Sequence, residues 1–174
     1  MGLSSAYSFL QTDKGYVGLS GYEQIMITKV DMFTATGTFT PPAGATYAVA
    51  HILGGGGGVG RSLDAGDGGS SSVAFAGGTI TATGGSAAQR NTHYMQNATA
   101  GKANSGDGAQ GFTMAGNDNA SWWTKGAQGT FIVAGGAVTA GTGISVTVGA
   151  GGTAGTNGAA GGSGYVWIEY QVKA

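Results

Sequence analysis

Gly149-Ala150-Gly151-Gly152-Thr153-Ala154-Gly155-Thr156-Asn157-Gly158-Ala159-Ala160-Gly161-Gly162-Ser163-Gly164 is the stretch that decides the fold, because glycine recurs in it at 149, 152, 155, 158, 161 and 164. A three-residue period matches a left-handed threefold helix of the polyproline II type, in which every third residue lies on one edge. Collagen would fill the intervening positions with proline, and here they hold Ala, Gly, Thr, Asn and Ser. A weaker copy runs through Gly54, Gly57, Gly60, Leu63, Gly66 and Gly69. Such a helix makes no internal hydrogen bonds, so two of them predict neighbours that exchange backbone N–H and C=O groups. The alternative reading is two glycine loops.

Around these repeats the chain reads as strands. Ile144 to Val148 and Tyr165 to Val172 flank the first repeat, and Ala45 to Leu53 leads into Gly54–Gly58, five glycines in a row. Ser70 to Thr83 predicts two short strands parted at Gly77-Gly78. Asp31 to Thr40 alternates β-branched and aromatic residues with small ones until Pro41-Pro42-Ala43-Gly44 turns the chain. No helix-period stretch is present. The expected fold is all-β: a glycine-rich, β-sandwich-like domain over 33–174 with polyglycine II-type segments and irregular, variable loops at 86–130. Residues 1–32, with ordinary glycine content and the alternating run Glu23 to Val30, form an attachment segment or first strand.

With 38 glycines and 41% apolar residues, the 174-residue chain has enough hydrophobic side chains to bury a core despite its loose backbone. Only 9% of residues are charged and the net charge is −1, so the field that gathers nucleic acid or anionic lipid is missing. Cysteine is absent, which removes disulfides, thiolate metal sites and cysteine nucleophiles. No membrane span and no basic-then-apolar leader is read.

Gly55 to Ser62 imitates a phosphate loop, but Arg61 stands where lysine is needed and Leu63 to Gly69 does not sustain a helix. Asp64, Asp67, Asp107 and Asp118 lie beside glycines without the ordered spacing of a calcium loop, and read as turn aspartates. His51, inside an apolar strand, reads as a hydrogen-bonded core residue. Glutamate occurs only at Glu23 and Glu169, against the paired carboxylates of a glycosidase, and no hydrolytic triad is supported. The sequence therefore predicts no catalysis, no cofactor and no metal. What remains is a group of large side chains in the polar stretch: Arg90, His93, Tyr94, Phe112, Trp122, Trp123 and Lys125. Aromatic faces among amides and hydroxyls suit a sugar or a protein loop; they equally suit a small core or a subunit interface.

The order Phe39-Thr40-Pro41-Pro42-Ala43-Gly44, strand, Gly54–Gly58, together with the end Ile144 to Gly152 and Gly164-Tyr165-Val166-Trp167-Ile168-Glu169-Tyr170, resembles the glycine-rich domains of bacteriophage tail fibre and adhesin proteins. The resemblance covers roughly residues 33–170. It implies a virion protein, a fibre or spike tip whose loops meet a receptor on the host surface, either a glycan or an outer-membrane protein. It also implies docking to other virion proteins through residues 1–32 and assembly as a homotrimer. The second expectation is a purely structural head fibre, decoration or assembly-cap protein.

Overall fold

The computed structural model describes residues 9–12, 15–18, 26–60, 64–89, 94–114 and 121–173. They are all-β, with no helix among them. The strands are β1 (Phe9–Thr12), β2 (Gly15–Gly18), β3 (Met26–Phe33), β4 (Gly37–Phe39), β5 (Tyr47–Leu53), β6 (Val59–Gly60), β7 (Ser71–Phe75) and β8 (Gly78–Ala82). They continue with β9 (Ala88–Gln89), β10 (Tyr94–Thr99), β11 (Gln110–Met114), β12 (Ser121–Lys125), β13 (Phe131–Ala137), β14 (Ile144–Thr147) and β15 (Tyr165–Lys173).

Two four-stranded antiparallel sheets, ordered β13-β5-β15-β3 and β4-β14-β7-β8, pack into a sandwich. Alternation explains which face is buried. Ala48, Ala50 and Ile52 of β5 and Val166, Ile168, Tyr170 and Val172 of β15 point inward, against Phe39, Val73, Phe75 and Val146 of the second sheet. The Phe39 and Tyr170 rings meet at 5.3 Å. The Pro-Pro-Ala-Gly stop is a true turn: Ala45 N–H donates to Pro42 O at 3.2 Å, and Gly44 takes φ +88°, the third-position geometry that a type II turn asks of glycine. The Gly77-Gly78 break is the β7–β8 hairpin, Phe75 facing Gly78. β3 continues to Phe33, so the first sheet begins at Met26 and runs across the expected boundary at 32.

The glycine repeats leave the sandwich as a packed bundle rather than as loops. Residues 54–59 form its axis. Gly54 and Gly57 donate to the carbonyls of Thr130 and Ala127, Gly55 and Gly58 to those of Gly69 and Gly66, and Gly56 and Val59 to those of Gly162 and Ala159. The partner thus changes at each residue and returns at the fourth, the three-residue screw of a polyproline II-type helix. The axial carbonyls behave alike: Gly55 and Gly58 accept from Gly85 and Ala88, Gly56 and Val59 from Gly152 and Gly155, and Gly57 from Ala109.

The axis therefore has six neighbours, the runs 66–69, 85–88, 106–109, 126–130, 149–155 and 158–164. The neighbours also bond to one another in a closed ring through pairs such as Gly68 to Gly85, Ala127 to Ser86, Gly129 to Gly106, Gly162 to Asp107, Gly161 to Gly152 and Gly69 to Ala150. Runs parallel and antiparallel to the axis alternate around the ring, as β6 pairing parallel to β9 and Val59 pairing antiparallel to Ala159 illustrate. Every backbone group named here finds its partner on another segment, which is what burial of a hydrogen-bondless helix requires.

Three expectations change with this geometry. The weaker repeat at 54–69 is two segments running in opposite directions, because Gly55 and Gly58 meet Gly69 and Gly66 in descending order. Much of 86–130, read as irregular, is ordered: 85–88, 106–109 and 126–130 belong to the ring, and β10, β11 and β12 fill the space between. Short polar segments look like loops in a sequence when their order comes from neighbours far along the chain. His51 is not in the core either, since it faces outward from β5, paired with Val133 and Trp167.

Candidate functional site

The axis begins at the end of β5 in the sandwich and ends in β6, which pairs with β9. At about 3.1 Å per residue the run from Gly54 to the end of β6 at Gly60 carries the chain about 20 Å away from the sandwich. At this far end β11 follows directly on Ala109, and β12 leads directly into Gly126; both residues belong to ring segments. β10, β11 and β12 make a separate three-stranded antiparallel sheet there.

That sheet collects candidates from three parts of the sequence. Its register sets Phe112 opposite Trp123, Thr113 opposite Trp122, Tyr94 opposite Met114 and Gln110 opposite Lys125. Directly opposed residues share a face of the pleat, as do residues two apart. Positions 94, 112, 123 and 125 therefore fall on one face and position 122 on the other. Lys125 is exposed. Arg90 and His93 lie outside the described residues, as does Asp118.

The six repeat glycines hold this sheet at its distance. A Cβ at Gly149, Gly152, Gly155, Gly158, Gly161 or Gly164 would come closer than 3.0 Å to a neighbouring segment: the Gly69, Gly66, Val59, Gly56 and Leu53 carbonyls for five of them, and the Asp64 carboxylate for Gly155. The bundle's rim is tied by side chains. Asp64 accepts from Thr156 N–H at 2.9 Å and from its hydroxyl at 2.5 Å. Asp67 accepts from Ala87 N–H at 2.7 Å, and Asp107 accepts from Gln128 Nε2 at 3.2 Å. The turn aspartates thus clasp one segment to the next. The phosphate-loop imitation has a different use as well, since each N–H from Gly54 to Val59 is already given to a carbonyl.

A second cluster escaped sequence reading. On the outer face of the first sheet Trp167 stacks on His51 at 4.3 Å and on Tyr165 at 5.3 Å, with Phe131 5.9 Å away. Trp167 Nε1 donates to Glu169 Oε1 at 3.1 Å, and His51 Nε2 lies 3.4 Å from the same oxygen. A shallow groove of ≈ 400 Å³ runs from these rings past Val30 and Met32 to Asn104. The signal was the alternation of Tyr165, Trp167 and Glu169 with the buried Val166 and Ile168, visible once β15 is known to have one wet face.

No family model matches the chain, and no curated protein and no solved structure is similar to it. No helix among the described residues is long and apolar enough to cross a membrane.

Proposed function

We propose that the protein is the host-recognition tip of a bacteriophage fibre or spike, working on the virion surface by binding and not by catalysis. The observation that carries this reading is the position of the β10–β12 sheet, set about 20 Å from the sandwich on a bundle whose glycines leave no room for play. Recognition residues placed on short connections above a rigid support lose little entropy on binding. Tyr94, Phe112, Trp123 and Lys125, gathered on one face from three strands, supply the aromatic and cationic anchors typical of such contacts. The partner is a host surface glycan or outer-membrane protein, and the part of the 1–32 segment that precedes β3 docks to the rest of the particle.

The test is adsorption of particles carrying Trp123→Ala or Trp122→Ala, with incorporation and folding of each variant verified. The proposal expects Trp123→Ala to lower adsorption by about tenfold or more, the effect of losing one hot-spot aromatic, and Trp122→Ala to matter less. Unchanged adsorption by both, with normal incorporation, would sink it in favour of a structural head fibre, decoration or cap protein.

A further inference from the structure

The exposed large apolar side chains among the described residues all lie on the first sheet, with Met26, Ile27, Val30 and Met32 on β3 and the rest on β5 and β13. β3 is that sheet's edge, and no described strand lies along its outer side. Natural edges are blunted by proline, by bulges, by shortness or by charged side chains, inward-pointing ones included. β3 has none of the first three: it is eight residues long and pairs with β15 without a register break from Met26 to Phe33. Val30 is 50% exposed and Met32 69%.

Its two charges lie on the sheet's inner face, Lys29 opposite Tyr170 and Asp31 opposite Ile168, and they are spaced to match themselves. Lys29 and Asp31 flank Val30, so an antiparallel pairing of two β3 strands about a two-fold axis at Val30 sets each Lys29 opposite the partner's Asp31. The same register sets Ile27 opposite the partner's Phe33 and Thr28 opposite the partner's Met32. Centring on Lys29 or on Asp31 would oppose like charges. A centre between residues 29 and 30 would oppose Lys29 to valine and turn the two outer faces to opposite sides. Only the Val30 register satisfies the charges while keeping both apolar faces together. We propose that a second copy of this chain pairs along β3 in this register, making one eight-stranded sheet. The interface is independent of the distal sheet, and a two-fold pair replaces the three-fold assembly that the fibre resemblance implies.

Sedimentation of the full chain tests this. The parent is expected to be a dimer. Lys29→Asp and Asp31→Lys should each raise the dimer dissociation constant by about tenfold or more, since two attractive pairs become two repulsive ones. An equimolar mixture of the two variants should recover the dimer, because each then opposes acid to base, and so should the doubly swapped chain. Recovery excludes misfolding as the cause. A monomeric or trimeric parent, or single variants that dimerise as tightly as the parent, would overturn the inference.

Discussion

At Gly56 a methyl group would press against the backbone carbonyl of Asp107, and at Gly55, Gly57 and Gly58 against those of Ala150, Ser86 and Thr153. From Gly54 to Gly58 the axis has a neighbour on every side, so these five positions are glycine, and it ends at Val59, whose side chain packs with Ala109 and Ala159; a ring residue faces the axis at one position in three, and several of the others carry Ala, Thr or Asn. This difference is the physical origin of both patterns, the run of five and the period of three. Gly56→Ala is expected to destabilise the protein by about 3 kcal/mol or more, as overpacking against immovable backbone does, and Gly158→Val by at least as much. Ala154→Ser, at an exposed position of the same repeat, should stay within about 0.5 kcal/mol. Urea denaturation measures all three, and equal midpoints would mean that the segments do not pack.

The element scale joins the bundle to the sandwich and sets the protein's response to alkali. Buried Ser71 donates its hydroxyl to Leu53 O at 2.6 Å and accepts from Gly149 N–H at 2.9 Å, pinning the first residue of the long repeat to the exit of β5. On β15, burial first, then the negative charge of Asp31 and the hydrogen bond to it at 3.5 Å, raises the Tyr170 phenol above its usual value of 10.0. A raised value in the fold means that the neutral phenol contributes stability below pH 10, lost as pH climbs through the folded value. Asp31→Asn removes the second and third causes. It should shrink the stability loss between about pH 9 and 11, read by chemical denaturation at each pH; an unchanged alkaline slope would show that Asp31 does not act on Tyr170.

Strands with one apolar face, such as β5, β14 and β15, were legible because their period of two is local. The hairpin at Gly77-Gly78 and the turn at Gly44 were legible from glycine at positions that need it. The ring segments at 85–88 and 106–109 were not, since their hydrogen bonds go to Gly55, Gly57 and Gly58, far away in sequence. For the candidate site, the residue types at 94, 112, 122 and 123 could be picked out, and adjacency alone sets positions 122 and 123 on opposite faces of a strand, but the antiparallel register that brings 94, 112 and 123 to one face could not be read.

In the whole molecule, the sandwich carries the apolar core and the bundle carries a sheet away from it, and each leg of the chain between them crosses from one to the other. Gly54 follows directly on β5, Gly149 follows β14 after Val148, and Gly164 leads directly into β15, so strands and glycine segments should open together as one cooperative unit. The binding role proposed for β10–β12 depends on that rigidity, because a sheet hung on loose loops would lose the preorganisation that makes small contacts specific. Site-resolved amide hydrogen exchange tests it most directly. The N–H groups of Gly55, Gly56, Gly57 and Gly58, which belong to no strand, are predicted to exchange as slowly as those of Ile52 and Ile168, through global unfolding alone. Exchange at the rate of open loops, with the sandwich still protected, would contradict the packed bundle and the rigid support built on it.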